Sequence, residues 1–109
     1  MLVKMIDITL TKGVISPQDL SALLQALPVP AGGEEGIVIS GRMPVWAFAA
    51  IIHHFHPRPW VGTFDPRLGG AVVVASHTAS MTVGSVVPVD SDASATTVIA
   101  VGFAGGDNA

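Results

Sequence analysis

Cysteine is absent from this chain of 109 residues, which excludes disulfide scaffolds, zinc ribbons and thiol nucleophiles and leaves the redox compartment unmarked. Charge is scarce: Asp, Glu, Lys and Arg make up 12% of the residues against 50% hydrophobic ones, the balance of a globular chain rather than a disordered one. Positive charge is scarcer still, and a net charge of −3 argues against a protein that coats double-stranded DNA by counterion release. Long apolar runs are missing too. None approaches the roughly 20 residues that span a bilayer, and the opening "MLVKMIDITLTKG" carries an acid and hydroxyls inside its apolar part, so it reads as a strand and not as a signal peptide. The expectation is a soluble, cytoplasmic protein without a membrane partner. It forms one domain over residues 1–109, with 105–109 as a frayed tail, and its surplus of apolar surface points to a homodimer.

What charge there is falls unevenly. Arg42, Arg58 and Arg67 stand in the middle of the chain, where Asp65 is the sole acid between Glu35 and Asp90, and all four histidines, His53, His54, His56 and His77, lie in or just beyond that stretch. A locally basic centre in an acidic protein is what a compact anion site requires.

The periodicities predict an α/β domain. "LVKMIDITL" alternates as a strand with Lys4 and Asp7 on its polar side. Ser16 and Pro17 open an amphipathic helix carrying Leu20, Leu23, Leu24 and Leu27, which "PVPAGG" closes. "GIVIS" is too short for a helix and reads as a buried strand. Pro44 then starts a helix that is apolar almost all round, reads as buried, and ends near His54 or Phe55, because Pro57 disfavours helical geometry at His56. "PWVGTF" and "AVVVAS" are strands around the turn "DPRLGG", in which Gly69 and Gly70 supply the unusual dihedrals. "SVVPVD", made an edge or an end by Pro88, and "TTVIAVGF" supply one or two final strands. The whole is a mixed β-sheet with two helices.

Three stretches could carry chemistry. "SGR" at 40–42 joins a strand to a helix start, where free amides and a guanidinium suit a phosphate; an arginine in a surface pair would look the same. In "HHFHPRP", His53 and His56 share a face at i and i+3 if the helix persists to its last turn, while His54 points elsewhere. Histidines at a helix C-terminus can equally be there for the dipole. Asp65 and His77 end two consecutive strands, and in a tight hairpin they would lie about 20 Å apart. Either those strands are not paired or a second copy brings the two ends together. A plain Asp-Pro turn is the ordinary alternative for Asp65.

"GIVISGRMPVW", the histidine-rich helix end and "FDPRLGGAVVVASH", in that order, resemble the small stand-alone CRISPR-associated ring nucleases of type III systems. The likeness runs over roughly positions 36–90 and departs from the family pattern at Met43, at Pro57 and at the second glycine of "DPRLGG". The resemblance implies a compact dimer distantly similar to Rossmann-like, CARF-like ligand-sensing domains, and manganese-dependent cleavage of the second messenger cyclic tetra-adenylate to linear products, which switches off antiviral signalling. It implies catalytic roles for His56 and Asp65, with Arg67 and His77 in the same polar cluster, and ring binding by Ser40, Gly41, Arg42 and His53. Asp65, His56 and His77 are the implied manganese ligands. Two dimers would clamp one ring, giving a dimer or a tetramer around the ligand.

Such a role is physically coherent, because RNA carries its own 2′-hydroxyl nucleophile and needs positioning, a base and charge stabilisation on phosphorus. His56 suits proton transfer and Arg67 suits the phosphate; metal-assisted hydrolysis through Asp65 with a histidine is the other route. The competing functions are a non-catalytic sensor or sink for the same ring, a metal-dependent 3′ RNA exonuclease, and a histidine/carboxylate metalloenzyme acting on a small molecule.

Overall fold

A computed structural model describes residues 3–89 and 96–103; the expected frayed tail lies outside them. Strand β1 (Val3–Leu10) leads into a 3-10 turn at Pro17–Asp19 and helix α1 (Leu20–Ala26). Then follow β2 (Gly36–Gly41), α2 (Val45–His54), β3 (Trp60–Asp65), β4 (Gly70–Ser76), β5 (Val86–Pro88) and β6 (Thr96–Val101). The described strands form one six-stranded sheet in the order β5-β4-β3-β2-β1-β6. Strands β6, β1, β2 and β3 run parallel, and β4 and β5 are antiparallel additions at one side. This is the mixed α/β domain that the periodicities predict. No helix among the described residues is long and apolar enough to cross a membrane.

The local reasons are those visible in the residues. Ser16 donates from its backbone N–H (2.8 Å) and its hydroxyl (2.9 Å) to the Asp19 carboxylate, closing the turn that Pro17 begins. Helix α2 stops where Pro57 requires, and the Phe55 amide still reaches back to the Ile51 carbonyl at 3.1 Å. Pro88 ends β5 at the sheet edge.

Both helices pack on one face of the sheet. Ile6, Ile8, Leu23, Leu27, Ile37, Ile39, Ile51, Phe55 and Val61 form the core there. On the other face Val38, Trp60, Ala71, Val73 and Val87 are buried beneath Met81 and Val89. The loop carrying Met81 is pinned by the Ser76 hydroxyl, which donates to the Met81 carbonyl at 2.7 Å.

Three expectations change. Helix α2 is not buried all round: Ala47 and Ile51 are inside, but Val45 is 84% exposed and Ala49 is exposed as well. Lys4 and Asp7 do not share a side of β1, since residues three apart on a strand point to opposite faces; Lys4 stands beside Ile37 and Asp7 beside Ser40. And only Gly69 of the glycine pair adopts a positive φ, +64°. Gly70 is needed for close approach instead, because a Cβ there would sit 2.6 Å from the Val87 carbonyl oxygen.

Candidate functional site

The parallel register sets the ends of β1, β2 and β3 side by side. Ile8 pairs with Gly41 and Ile39 with Thr63, so the chain emerges at Leu10, Gly41 and Asp65 along one carboxyl edge, where open α/β sheets bind ligands. Gly41 has φ +144°, and a Cβ on it would meet the Ile8 carbonyl oxygen at 2.4 Å. Only glycine lets β2 leave the sheet so close to β1. The turn delivers an exposed Arg42 to an open depression of about 460 Å³ lined by Asp7, Ile8, Thr9, Leu10, Gly13, Gly41 and Arg42. Among the described residues the ion pairs are Arg58–Glu35 and Arg67–Asp65. Arg42 therefore has no carboxylate partner among the described residues.

Asp65 builds the neighbouring turn on this edge. Its Oδ1 accepts the Arg67 backbone N–H at 2.9 Å, its backbone oxygen accepts from Leu68 at 3.1 Å, and its two carboxylate oxygens take the Arg67 fork, Nε to Oδ1 at 3.2 Å and Nη2 to Oδ2 at 3.0 Å. This is an Asx turn with a two-pronged charge pair. The hydrogen bonds from the Arg67 side chain and backbone hold the Asp65 carboxyl below the ordinary carboxylate range, and the same pair raises the Arg67 guanidinium. The turn explanation of Asp65 is thus satisfied, and the same contacts present Arg67 to solvent with its side chain 88% exposed.

The imidazoles stand at the opposite, amino edge. His53 and His56 stack with centroids 5.3 Å apart and planes 17° from parallel. Nδ1 of His56 lies 2.9 Å from the His53 carbonyl oxygen. A carbonyl can only accept, so Nδ1 carries the proton and, in the neutral ring, Nε2 keeps its lone pair. His54 points elsewhere, as its position on the helix requires: its Nε2 lies 3.1 Å from the Pro28 carbonyl and its ring meets Phe55 edge-on, which ties α2 to the end of α1. His77 joins this edge, for its backbone N–H donates to Pro59 at 2.8 Å.

Strands β3 and β4 are paired as a hairpin, Trp60 with Ser76 and Asp65 with Gly70. Asp65 and His77 therefore lie at opposite ends of it, about 20 Å apart. Within one copy His77 does not join Asp65 and Arg67 in one cluster. Asp65, His56 and His77 likewise do not come together, and no group of three metal-ligating side chains forms among the described residues. Arg58 leaves the basic centre altogether. It is buried, paired to Glu35 at 3.4 Å and laid across Gly33, with its Nε unpartnered.

Asp7, which the sequence reading gives only a polar strand position, lines the same depression as Arg42; its signal is an acid in the middle of an apolar strand, away from any turn.

The family model described as CRISPR-associated protein (Cas_csx3) matches residues 8–88, the span that contains both edges. An uncharacterized protein of Aquifex aeolicus (strain VF5) is 55% identical over 51 residues, which are 47% of this chain and 46% of that protein. The chain thus spans about half the length of the curated relative it matches.

Proposed function

The chain belongs to the CRISPR-associated Cas_csx3 family, and from that premise we propose that it is a ring nuclease that opens cyclic tetra-adenylate to linear products. What carries the reading is the separation of two complementary half-sites. The carboxyl edge offers a glycine turn, Ser40, Arg42 and the held-out Arg67, which suit the phosphates of a small polyanionic ring. The amino edge offers His56 with a directed Nε2, which suits a proton acceptor. A ring gripped by one copy's carboxyl edge meets its base on the amino edge of another, and this resolves the distance between Asp65 and His77.

In the step proposed, His56 Nε2 takes the proton of a ribose 2′-hydroxyl. The 2′-oxygen bonds to the adjacent phosphorus, and the bond to the 5′-oxygen breaks. That oxygen takes a proton from solvent water and leaves as a hydroxyl, and a 2′,3′-cyclic phosphate remains; His56 returns its proton to the hydroxide so formed. Arg67 stabilises charge on the phosphate oxygens, and Asp65 positions Arg67. Manganese is proposed as a cofactor shared between copies, since its implied ligands do not meet in one, and no part of the step is assigned to it.

A homodimer is part of the proposal. Val45 and Ala49, together with Phe48, Ile52 and Val74, form the apolar part of a groove of about 580 Å³. A second copy seated on that apolar part, clear of Arg67, offers the same apolar face in return.

The test is incubation of the protein with radiolabelled cyclic tetra-adenylate in manganese, in magnesium and in chelator, beside His56→Ala and Asp65→Ala. Cleavage lost in both variants is the expected result. Tight binding without turnover by the unaltered protein would make it a sensor or sink, and neither binding nor turnover would return Asp65 to a turn residue.

A further inference from the structure

A carboxylate stands in the middle of β1, an inner strand flanked by β2 and β6, where charged residues are disfavoured unless they are paired. Asp7 is half-buried there. It is no cap or turn residue, and no hydrogen bond or ion pair among the described residues accounts for it. The acidic side chains that make hydrogen bonds or ion pairs among the described residues are Asp19, Glu35 and Asp65; Asp7 makes neither. Its register partner on β2 is Ser40, and it lines the depression that Gly41 and Arg42 also line. One shallow basin thus holds a cation and an anion that, among the described residues, form no ion pair with each other or with a third group.

The combination is informative because an ionised carboxylate accepts hydrogen bonds and donates none. Beside a phosphate it repels, so it lowers affinity for a bare polyanion. It raises affinity for a ligand that places a donor next to its phosphate. Adenosine nucleotides carry two such donors, the exocyclic amine of the base and the 2′-hydroxyl of the ribose. We infer that Asp7 is a specificity-determining residue of the carboxyl edge, accepting a hydrogen bond from the adenosine portion of the ligand whose phosphate Arg42 holds.

This rests on the ring-nuclease reading and sharpens it. Arg42 reads charge, which every nucleotide ring supplies. Asp7 reads a donor at a fixed offset from that charge, and a guanine or uracil carbonyl in the amine's place would face the carboxylate oxygen to oxygen. The residue costs the fold something as well, since an unpartnered acid in an inner strand is a stability liability kept for function.

The experiment compares binding by Asp7→Ala and Asp7→Asn with binding by the protein unaltered at that position, all in a His56→Ala background so that the ring stays closed. The ligands are cyclic tetra-adenylate, its inosine counterpart without the exocyclic amine, and its 2′-deoxy counterpart. Asp7→Ala is expected to weaken adenylate-ring binding about tenfold to a hundredfold, with Asp7→Asn, which keeps an acceptor oxygen, losing less. For one analogue the loss disappears, and that analogue identifies the donor: the inosine ring marks the amine and the deoxy ring the 2′-hydroxyl. Asp7→Ala is also expected to melt no lower than its parent, which a structural carboxylate would not allow. Unchanged or tighter binding of the adenylate ring by Asp7→Ala, or an equal loss on all three ligands, overturns the assignment while leaving the ring reading intact. Failure of the parent to bind any of the rings overturns both.

Discussion

The two edges of the sheet are made differently. At the carboxyl edge the backbone does the organising: Gly41 brings β2 within contact of β1, and Asp65 closes an Asx turn that aims Arg67. At the amino edge the organising is done by helix termination, with His56 folded back on the His53 carbonyl and His77 fastened through its backbone to Pro59. One edge holds guanidinium groups and no imidazole, the other imidazoles and no free guanidinium, because Arg58 is buried on Glu35. The groups suited to phosphate grip and to proton transfer thus sit at opposite ends of a strand. Two edges of one chain about 20 Å apart cannot act on the same phosphodiester, and two chains can.

The largest effect belongs to the histidine edge. His56→Ala should lower cleavage of cyclic tetra-adenylate by about 10²- to 10⁴-fold while leaving ring affinity close to that of the parent. Mixing it with Arg42→Ala, itself weak in cleavage, should restore turnover, because each variant keeps the edge the other lacks. No recovery in the mixture would place both edges' work within one chain and break the comparison.

Next in size is Arg42→Ala, expected to cost about tenfold to a hundredfold in ring affinity and to reduce the salt dependence of binding by about one unit of slope. A wild-type slope in that variant would show that Arg42 touches no phosphate.

Asp65→Asn separates the turn from the charge. Asparagine keeps an oxygen for the Arg67 amide and loses the charged fork, so the hairpin should stay folded while turnover falls. The sign of the pH effect follows from the lowered Asp65 carboxyl. A carboxylate depressed in the folded state adds stability above its unfolded pKa of about 3.9, and that stability is lost as pH falls through the still lower folded value. Thermal melts of the parent should therefore drop below about pH 4 more steeply than those of Asp65→Asn. Parallel pH profiles would mean that the pair adds nothing to the fold.

The smallest effect tests whether all the histidines are alike. His54→Ala should cost about 1 kcal/mol of stability by leaving the Pro28 carbonyl without its donor and should leave cleavage unchanged. A cleavage defect as large as that of His56→Ala would erase the distinction drawn between the two. The absence of cysteine makes the proposed dimer face testable without background: Ala49→Cys should give a disulfide-linked dimer on non-reducing gels, and Ser21→Cys, exposed on α1, should not.

Much of this was legible in the residues. Pro17, Pro44, Pro57 and Pro88 act through rules that need no partner, since a fixed φ and a missing N–H end or open an element wherever they occur, and each stands where the structure starts or stops one. His53 and His56 do meet, but in the turn that follows α2, which ends at His54, and not on a continuous helix face. The misreadings came where a neighbour decides. Lys4 and Asp7 were placed on one side of a strand whose period of two puts them on opposite sides. Helix α2 looks buried by composition, yet its apolar outer face is uncovered. Arg58 counts as a site cation in any tally along the chain, and only the approach of Glu35 and Gly33 removes it.

What the sequence determined by itself, then, was the list of elements, their ends and the residue types able to hold phosphate and move a proton, since those follow from backbone sterics, periodicity and side-chain chemistry over a few residues. What only the tertiary structure decided was which of them meet. Strand order places Asp7, Gly41 and Asp65 along one edge, and the antiparallel pairing of β3 with β4 sends His77 to the other. Such pairings join residues far apart in the chain, and their choice depends on how all six strands bury their faces together rather than on any one segment.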